Sequence, residues 1–252
     1  MKRTLITGMS GLVGGALRRR LESAGGYELT ALNRGPLEGV RCFRADIADF
    51  GAIRPAFANQ DVVVHLAAYQ GAKDWEGHLR TNIVGTYNVF EAARLAGVRR
   101  VIYASSGNVA RGFESLPPYD AITSGKFGCV PEDFAKITHE QMRPVGIYGA
   151  AKIFGEGLAR HYSDEYGMSM ICVRIGSVNH SDVPEIPRER STFLSQADVA
   201  TMLQSCIDAP DDLKFDTFFA TSNNRWGYRD ISHAREVLGW VPRDSADDFY
   251  DD

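Results

Sequence analysis

The chain has 252 residues, 44% of them hydrophobic and 24% charged, with a formal net charge of −4 at pH 7. This supports one sizeable core with at most a small appendage, and the mildly negative balance argues against nucleic acid or an anionic membrane as partner. No apolar run approaches the ~20 residues of a membrane span. The run behind Lys2 and Arg3 is too short for a signal peptide, and Cys42, Cys129, Cys172 and Cys206 lack zinc or redox spacing, so a cytoplasmic protein with free thiols and no metal is expected.

Residues 4–17 organise the rest. An apolar run meets Gly8, Gly11 and Gly14, and a helical pattern follows, which reads as strand, tight turn and helix. Gly8 permits the turn, Gly11 lets the backbone approach a pyrophosphate, and Gly14 lets the helix pack close to the strand. A pyrophosphate would rest on N–H groups of Ser10, Gly11, Leu12 and Val13, at the positive end of the helix. Residues 27–32 and 41–45 are predicted strands, and residues 49–58 a helix. Val62, Val63 and Val64 mark a fourth strand covered on both faces. Residues 75–96 carry a long helical pattern closed by Gly97, and residues 100–105 a fifth strand. Residues 107–146, with Pro117, Pro118, Pro131 and Pro144, are irregular; structureless stretches of that length often cover active sites. A helix over 147–166, a strand over 169–175, a helix capped by Ser195, a strand over 215–220 and a short helix over 231–238 follow. The alternation predicts an α/β fold, a doubly wound parallel sheet. Residues 1–178 form the dinucleotide-binding Rossmann part. Residues 179–252 form a small carboxy-terminal substrate cap integral to the same domain, and so small a cap implies a small substrate.

Ligands of an open α/β sheet lie beyond the carboxyl ends of its strands. Strand two ends at Asn33 and Arg34, without the Asp or Glu that would hold a ribose 2′-hydroxyl. Arg34 can face a 2′-phosphate or be a solvated turn residue. Asp46 can accept from an adenine amine or cap the next helix. Leu66, Ala67 and Ala68 leave room for a cofactor across the edge of strand four, and Ile175 ends strand six. His65 has no companion at ligand spacing and reads as a packed side chain. Tyr148 and Lys152, four apart, share one helix face, near Ser105 and Ser106 at the end of strand five. A free phenol, pKa ~10, is a poor base; an adjacent ammonium lowers that value. Tyr148 can then take a proton from a substrate hydroxyl while hydride leaves the same carbon. Lys152 can also bind the nicotinamide ribose, and a serine can hold the reacting oxygen in line.

These residues, with Asp46-Ile47, Asn82 and the run Leu238-Gly239-Trp240-Val241-Pro242, resemble an extended short-chain dehydrogenase/reductase of the NAD-dependent epimerase/dehydratase family over nearly the whole chain. The resemblance implies that Ser106 faces the substrate and Ser105 is structural, and that Asn82 interrupts its helix and helps place Lys152 through water. Within the family the chain is most similar to uronate dehydrogenases, through residues 173–177, 191–198 and Trp226 onward. That likeness implies NAD, oxidation of a hexuronate at C1 to the lactone, and Ser177 with Arg188 (or Arg190) as contacts for the sugar and its carboxylate.

The chain departs from that group at several places. Ser106-Gly107-Asn108 stands where Ser-Asn-His is usual, Gln70 replaces a serine, the carboxylate after strand two is missing, and residues 113–139 lengthen the stretch before Tyr148. These changes keep NADP open beside NAD and put Gln70 and Asn108 on the substrate side. The expectation is an NAD(P)-dependent oxidoreductase of a small sugar or sugar acid. An epimerase or dehydratase of a nucleotide-linked sugar and a non-catalytic dinucleotide sensor are the alternatives. Pairing of the helices over 75–96 and 147–166 in a homodimer is expected by analogy with the family.

Overall fold

The computed structural model describes residues 1–71 and 74–250. Seven strands, β1 (Lys2–Thr7), β2 (Tyr27–Asn33), β3 (Arg41–Arg44), β4 (Val62–His65), β5 (Arg100–Ser106), β6 (Ser169–Ile175) and β7 (Phe215–Ala220), form one sheet in the order β3-β2-β1-β4-β5-β6-β7. Every pairing is parallel, with Thr4 opposite Leu29 on one side of β1 and Val62 on the other. The helices are α1 (Leu12–Ala24), α2 (Phe50–Ile53), α3 (Trp75–Gly77), α4 (Thr86–Leu95), α5 (Tyr119–Thr123), α6 (Gly146–Tyr166), α7 (Glu189–Thr192), α8 (Gln196–Asp208) and α9 (Ser232–Leu238). This is the doubly wound Rossmann arrangement predicted.

Two cores follow from the two-residue period of the strands. Ile6, Val62, Val64, Ile102, Ile171, Val173 and Phe218 face α1 and α8, meeting Leu17, Leu21, Met202 and Leu203. Their neighbours Leu5, Val63, Val101, Tyr103 and Met170 face the other way, onto Val89 and Phe90 of α4 and Ala159 and Tyr162 of α6. Each such fully buried apolar side chain contributes about 1.5–3 kcal/mol. A third core joins the long stretch between β5 and α6 to the tail: Ala110, Ile122 and Ile137 pack on Phe219 and Tyr228. Backbone bonds stitch the same regions, from Ile137 N to Tyr228 O (2.8 Å) and Asp230 N to Ile137 O (2.9 Å).

Three elements differ from expectation. The helix over 49–58 is α2, capped by Asp49 accepting from Ala52 N, followed by a 3₁₀ turn Arg54–Phe57 with Pro55 in its first turn, where the missing N–H is harmless. The helix over 75–96 contains a π-helical segment, His78–Gly85, between α3 and α4; π segments break a uniform 3.6-residue period. The irregular stretch holds α5 and 3₁₀ turns at Gly107–Val109, Arg111–Ser115 and Phe127–Cys129. No helix among the described residues is long and apolar enough to cross a membrane.

Candidate active site

A cavity of about 560 Å³ opens at the carboxyl ends of β4, β5 and β6, where the strand order turns away from β1 and a doubly wound sheet binds ligands. The glycine turn reaches it through Val13, which lines it. Gly8 has φ +72°, and a Cβ there would stand 2.9 Å from Ala67 N; at Gly14 a Cβ would fall 2.5 Å from Gly8 O and 2.6 Å from Met9 Cα. Only glycine permits both the conformation and the approach. Ser10 and Gly11 are exposed at the tip, with Leu12 and Val13 partly so. No side chain caps α1 and its first turn carries no acidic residue, which leaves the positive helix end open to an anion.

At the carboxyl end of β2, Asn33 is 5% exposed, and neither its side-chain oxygen nor its nitrogen has a hydrogen-bond partner. Arg34 beside it is exposed. An orphaned buried amide at that place, with the glycine cradle, suits a dinucleotide whose ribose would satisfy it. Asp46 is already engaged: it accepts from Ala48 N (2.9 Å) and from Arg80 Nη2 (3.0 Å). Ile47 is buried and its carbonyl accepts from Asn88. Leu66, Ala68 and Val13 line the cavity, as does Ile175, while Ala67 N donates to Thr7 Oγ1 (3.1 Å) and ties the loop after β4 to β1. His65 bridges the Thr7 and Thr86 hydroxyls. Burial, then the charge of Lys152, holds its pKa down to about 3, so the imidazole is neutral and packed.

Tyr148, Lys152, Ser106, Gln70 and Asn108 line the cavity together. Tyr148 is hydrogen-bonded to Ser106 and Gln70, which pull its phenol down, but burial dominates and raises it above the ordinary 10. Lys152 is 3% exposed. Its Nζ stands 5.5 Å from the Tyr148 ring centroid and donates to Ala104 O at 2.8 Å. Burial brings its pKa down to about 8, opposed by Glu156. The amine lies beside the phenol, as the four-residue spacing predicts, but its hydrogen bond goes to β5. The expected lowering of the phenol pKa is absent, because burial outweighs the hydrogen bonds to Ser106 and Gln70. Ser106 Oγ accepts from Asn108 N (3.2 Å). Ser105 Oγ donates to Glu156 Oε1 (2.5 Å), and Glu156 holds Arg174 through bonds of 2.8 and 2.9 Å.

Asn82, in the π segment, accepts from Tyr69 N (2.8 Å) and donates to Tyr69 O (2.7 Å). It thereby fixes the chain beside Gln70 from a position outside the cavity wall. Ser177 and Arg188 also lie outside that wall. Ser177 Oγ meets Thr192 Oγ1 at 2.9 Å, and the Arg188 guanidinium is taken up by Glu114 of the lengthened stretch. Arg190 instead packs on the rings of Phe127 and Tyr250, at 4.6 and 4.1 Å. Spacing gave no sign of Glu114, since 74 residues separate it from Arg188. Nor did it reveal His139, Asp216 and His233, which meet near the amino end of β7 with potential ligand atoms within 4.8 Å. The two rings there stack at 4.0 Å and 9°, and His233 Nε2 is hydrogen-bonded to Asp216 Oδ1 at 2.8 Å.

A glycine-cradled helix start and a tyrosine–lysine pair on one edge of a doubly wound sheet define the short-chain class of dinucleotide-dependent oxidoreductases. Residues 4–181 match the NAD dependent epimerase/dehydratase family, and the chain belongs to it. It is 34% identical to a uronate dehydrogenase of Agrobacterium fabrum, covering 99% of this chain and 87% of that one. It is 30% identical to an L-arabinose 1-dehydrogenase (NAD(P)(+)) of Haloferax volcanii, covering 98% of each. A crystal structure of a mutant uronate dehydrogenase from Agrobacterium tumefaciens, complexed with NAD, superposes with a TM-score of 0.82 at 32% identity, covering 99% of this chain and 87% of that one.

Proposed function

We propose that the protein oxidises a small sugar or sugar acid at a hydroxyl-bearing carbon, with a nicotinamide dinucleotide as hydride acceptor. One observation carries the reading: Tyr148, bonded to Ser106 and close to Lys152, lines the same cavity as Val13 of the glycine turn. Bound against that turn, the dinucleotide supplies the hydride-accepting ring. Ser106 orients the substrate hydroxyl, and Tyr148 removes its proton as the C–H bond of the same carbon breaks. Lys152, mostly charged at pH 7, binds ribose hydroxyls. Asn82 acts by positioning the loop that carries Gln70. Residues 179–250 close the substrate side without forming a separate unit, a reading that the shared third core supports.

Sugar dehydrogenases among the relatives support the substrate class. The test is absorbance of reduced nicotinamide on mixing the protein with NAD or NADP and a panel of aldoses and uronates. Net reduced cofactor is the expected result. Altered sugar without net reduction would instead identify an epimerase, and bound cofactor without any turnover a sensor. We further propose a homodimer through α4 and α6, since Tyr87, Leu95, Phe154 and Tyr166 on them are 39–50% exposed; light scattering of the eluted protein should give twice the chain mass.

A further inference from the structure

Glu114 sits in the lengthened stretch between β5 and α6. Arg188 Nε and Nη2 donate to its two carboxylate oxygens at 2.7 and 2.6 Å, the paired geometry that makes such contacts strong. Tyr228 Oη donates to the same carboxylate at 2.5 Å, and Arg111 and Arg229 stand 3.6 and 3.7 Å away. Arg188 Nη1 spends its remaining reach on the Ser177 and Thr192 hydroxyls. The Glu114 and Arg188 side chains are only 10% and 18% exposed. Burial works to raise the Glu114 carboxyl, but Arg188, Tyr228 and Arg229 outweigh it and hold the group ionised.

This cluster backs directly on the cavity. Arg111 lines it, and Ser177 stands between the lining residues Gly176 and Val178. Arg229 packs over Gly107, where any Cβ would collide with its guanidinium, next to the lining residue Ser106. The space that Arg229 takes accounts for glycine at position 107.

We propose, resting on the reading that the cavity takes a small sugar, that Glu114 is an internal carboxylate filling the place a substrate carboxylate would take on Arg188, so that the preferred substrate is an uncharged aldose rather than its uronic acid. One guanidinium fork serves one carboxylate. An entering carboxylate would have to displace a largely buried anion and strand it, which is costly. Arg111 offers no equivalent, since it is 44% exposed, leans toward the same Glu114, and is screened by solvent.

The experiment compares kcat/KM for glucose, galactose and arabinose with that for glucuronate and galacturonate, in the wild type, Glu114→Gln and Glu114→Asp. The wild type should favour the aldoses at least tenfold. Glu114→Gln keeps the volume but not the charge, and should raise the uronate-to-aldose ratio at least tenfold, mainly through a lower KM for uronate. Glu114→Asp should restore the aldose preference. A wild-type preference for uronates overturns the proposal, and so does an unchanged ratio in Glu114→Gln; the wild-type comparison decides even if that variant fails to fold. Absence of turnover with every sugar would overturn the sugar reading itself and this inference with it.

Discussion

Lys152→Met should make the nucleotide-free protein more stable at pH 7 while abolishing turnover. Lys152 is buried, and its pKa falls from the ordinary 10.5 to about 8. At 1.36 kcal/mol per pH unit, that fall disfavours the folded ammonium by about 3 kcal/mol. Methionine fills similar space without charge, and loses one hydrogen bond to Ala104 O, worth about 1–2 kcal/mol. The net gain is about 1–2 kcal/mol, or about 2–8 °C in Tm for a chain of this size. The sign follows from linkage. With the folded pKa below the unfolded one, the unfolded chain binds more protons between about pH 8 and 10.5, so wild-type stability rises with pH across that window and the penalty is complete below it. Thermal melts followed by circular dichroism from pH 7 to 10.5 should therefore show the variant ahead at pH 7, its lead lost within that window and reversed at the alkaline end, where only the missing hydrogen bond to Ala104 O counts. A variant that melts below the wild type at pH 7, or a lead independent of pH, would refute the reasoning.

Three further outcomes are expected. Tyr148→Phe should lower kcat by about 10²–10⁴ while dinucleotide binding, read by fluorescence, holds. Gly14→Ala forces a Cβ against Gly8 O and Met9 Cα and should cost at least about 1–3 kcal/mol in denaturant melts, with dinucleotide affinity lost because the cradle must open. Asn33→Asp gives the buried end of β2 a carboxylate to accept ribose hydroxyls, and should shift the ratio of kcat/KM for NAD over NADP upward by about tenfold or more; an unchanged ratio would show that this side chain does not meet the ribose.

The sheet and its two main cores were legible because glycine spacing and strand periodicity are local signals. Ser195 capping α8 through Asp198 N and Gly97 following α4 at φ +72° belong to the same kind. The π segment was hidden, since His78–Gly85 reads as ordinary helix when only apolar spacing is followed; Asn82 drew notice through family likeness alone. The tyrosine–lysine pair was readable from its four-residue spacing, but not where its hydrogen bonds go. Arg188 was singled out as a contact for the substrate carboxylate, but its guanidinium is taken by Glu114, a partner far back in the chain. Contacts between irregular segments have no period to betray them, and so Glu114 and the third core escaped notice.

That third core has an evolutionary consequence. The wall carrying Arg111 and Glu114 leans on Phe219 and Tyr228, so the stretch and the tail must drift together, while β1 and α1 can stay fixed. Descendants with new tastes can arise by rewriting the stretch and the tail together over an unchanged glycine turn.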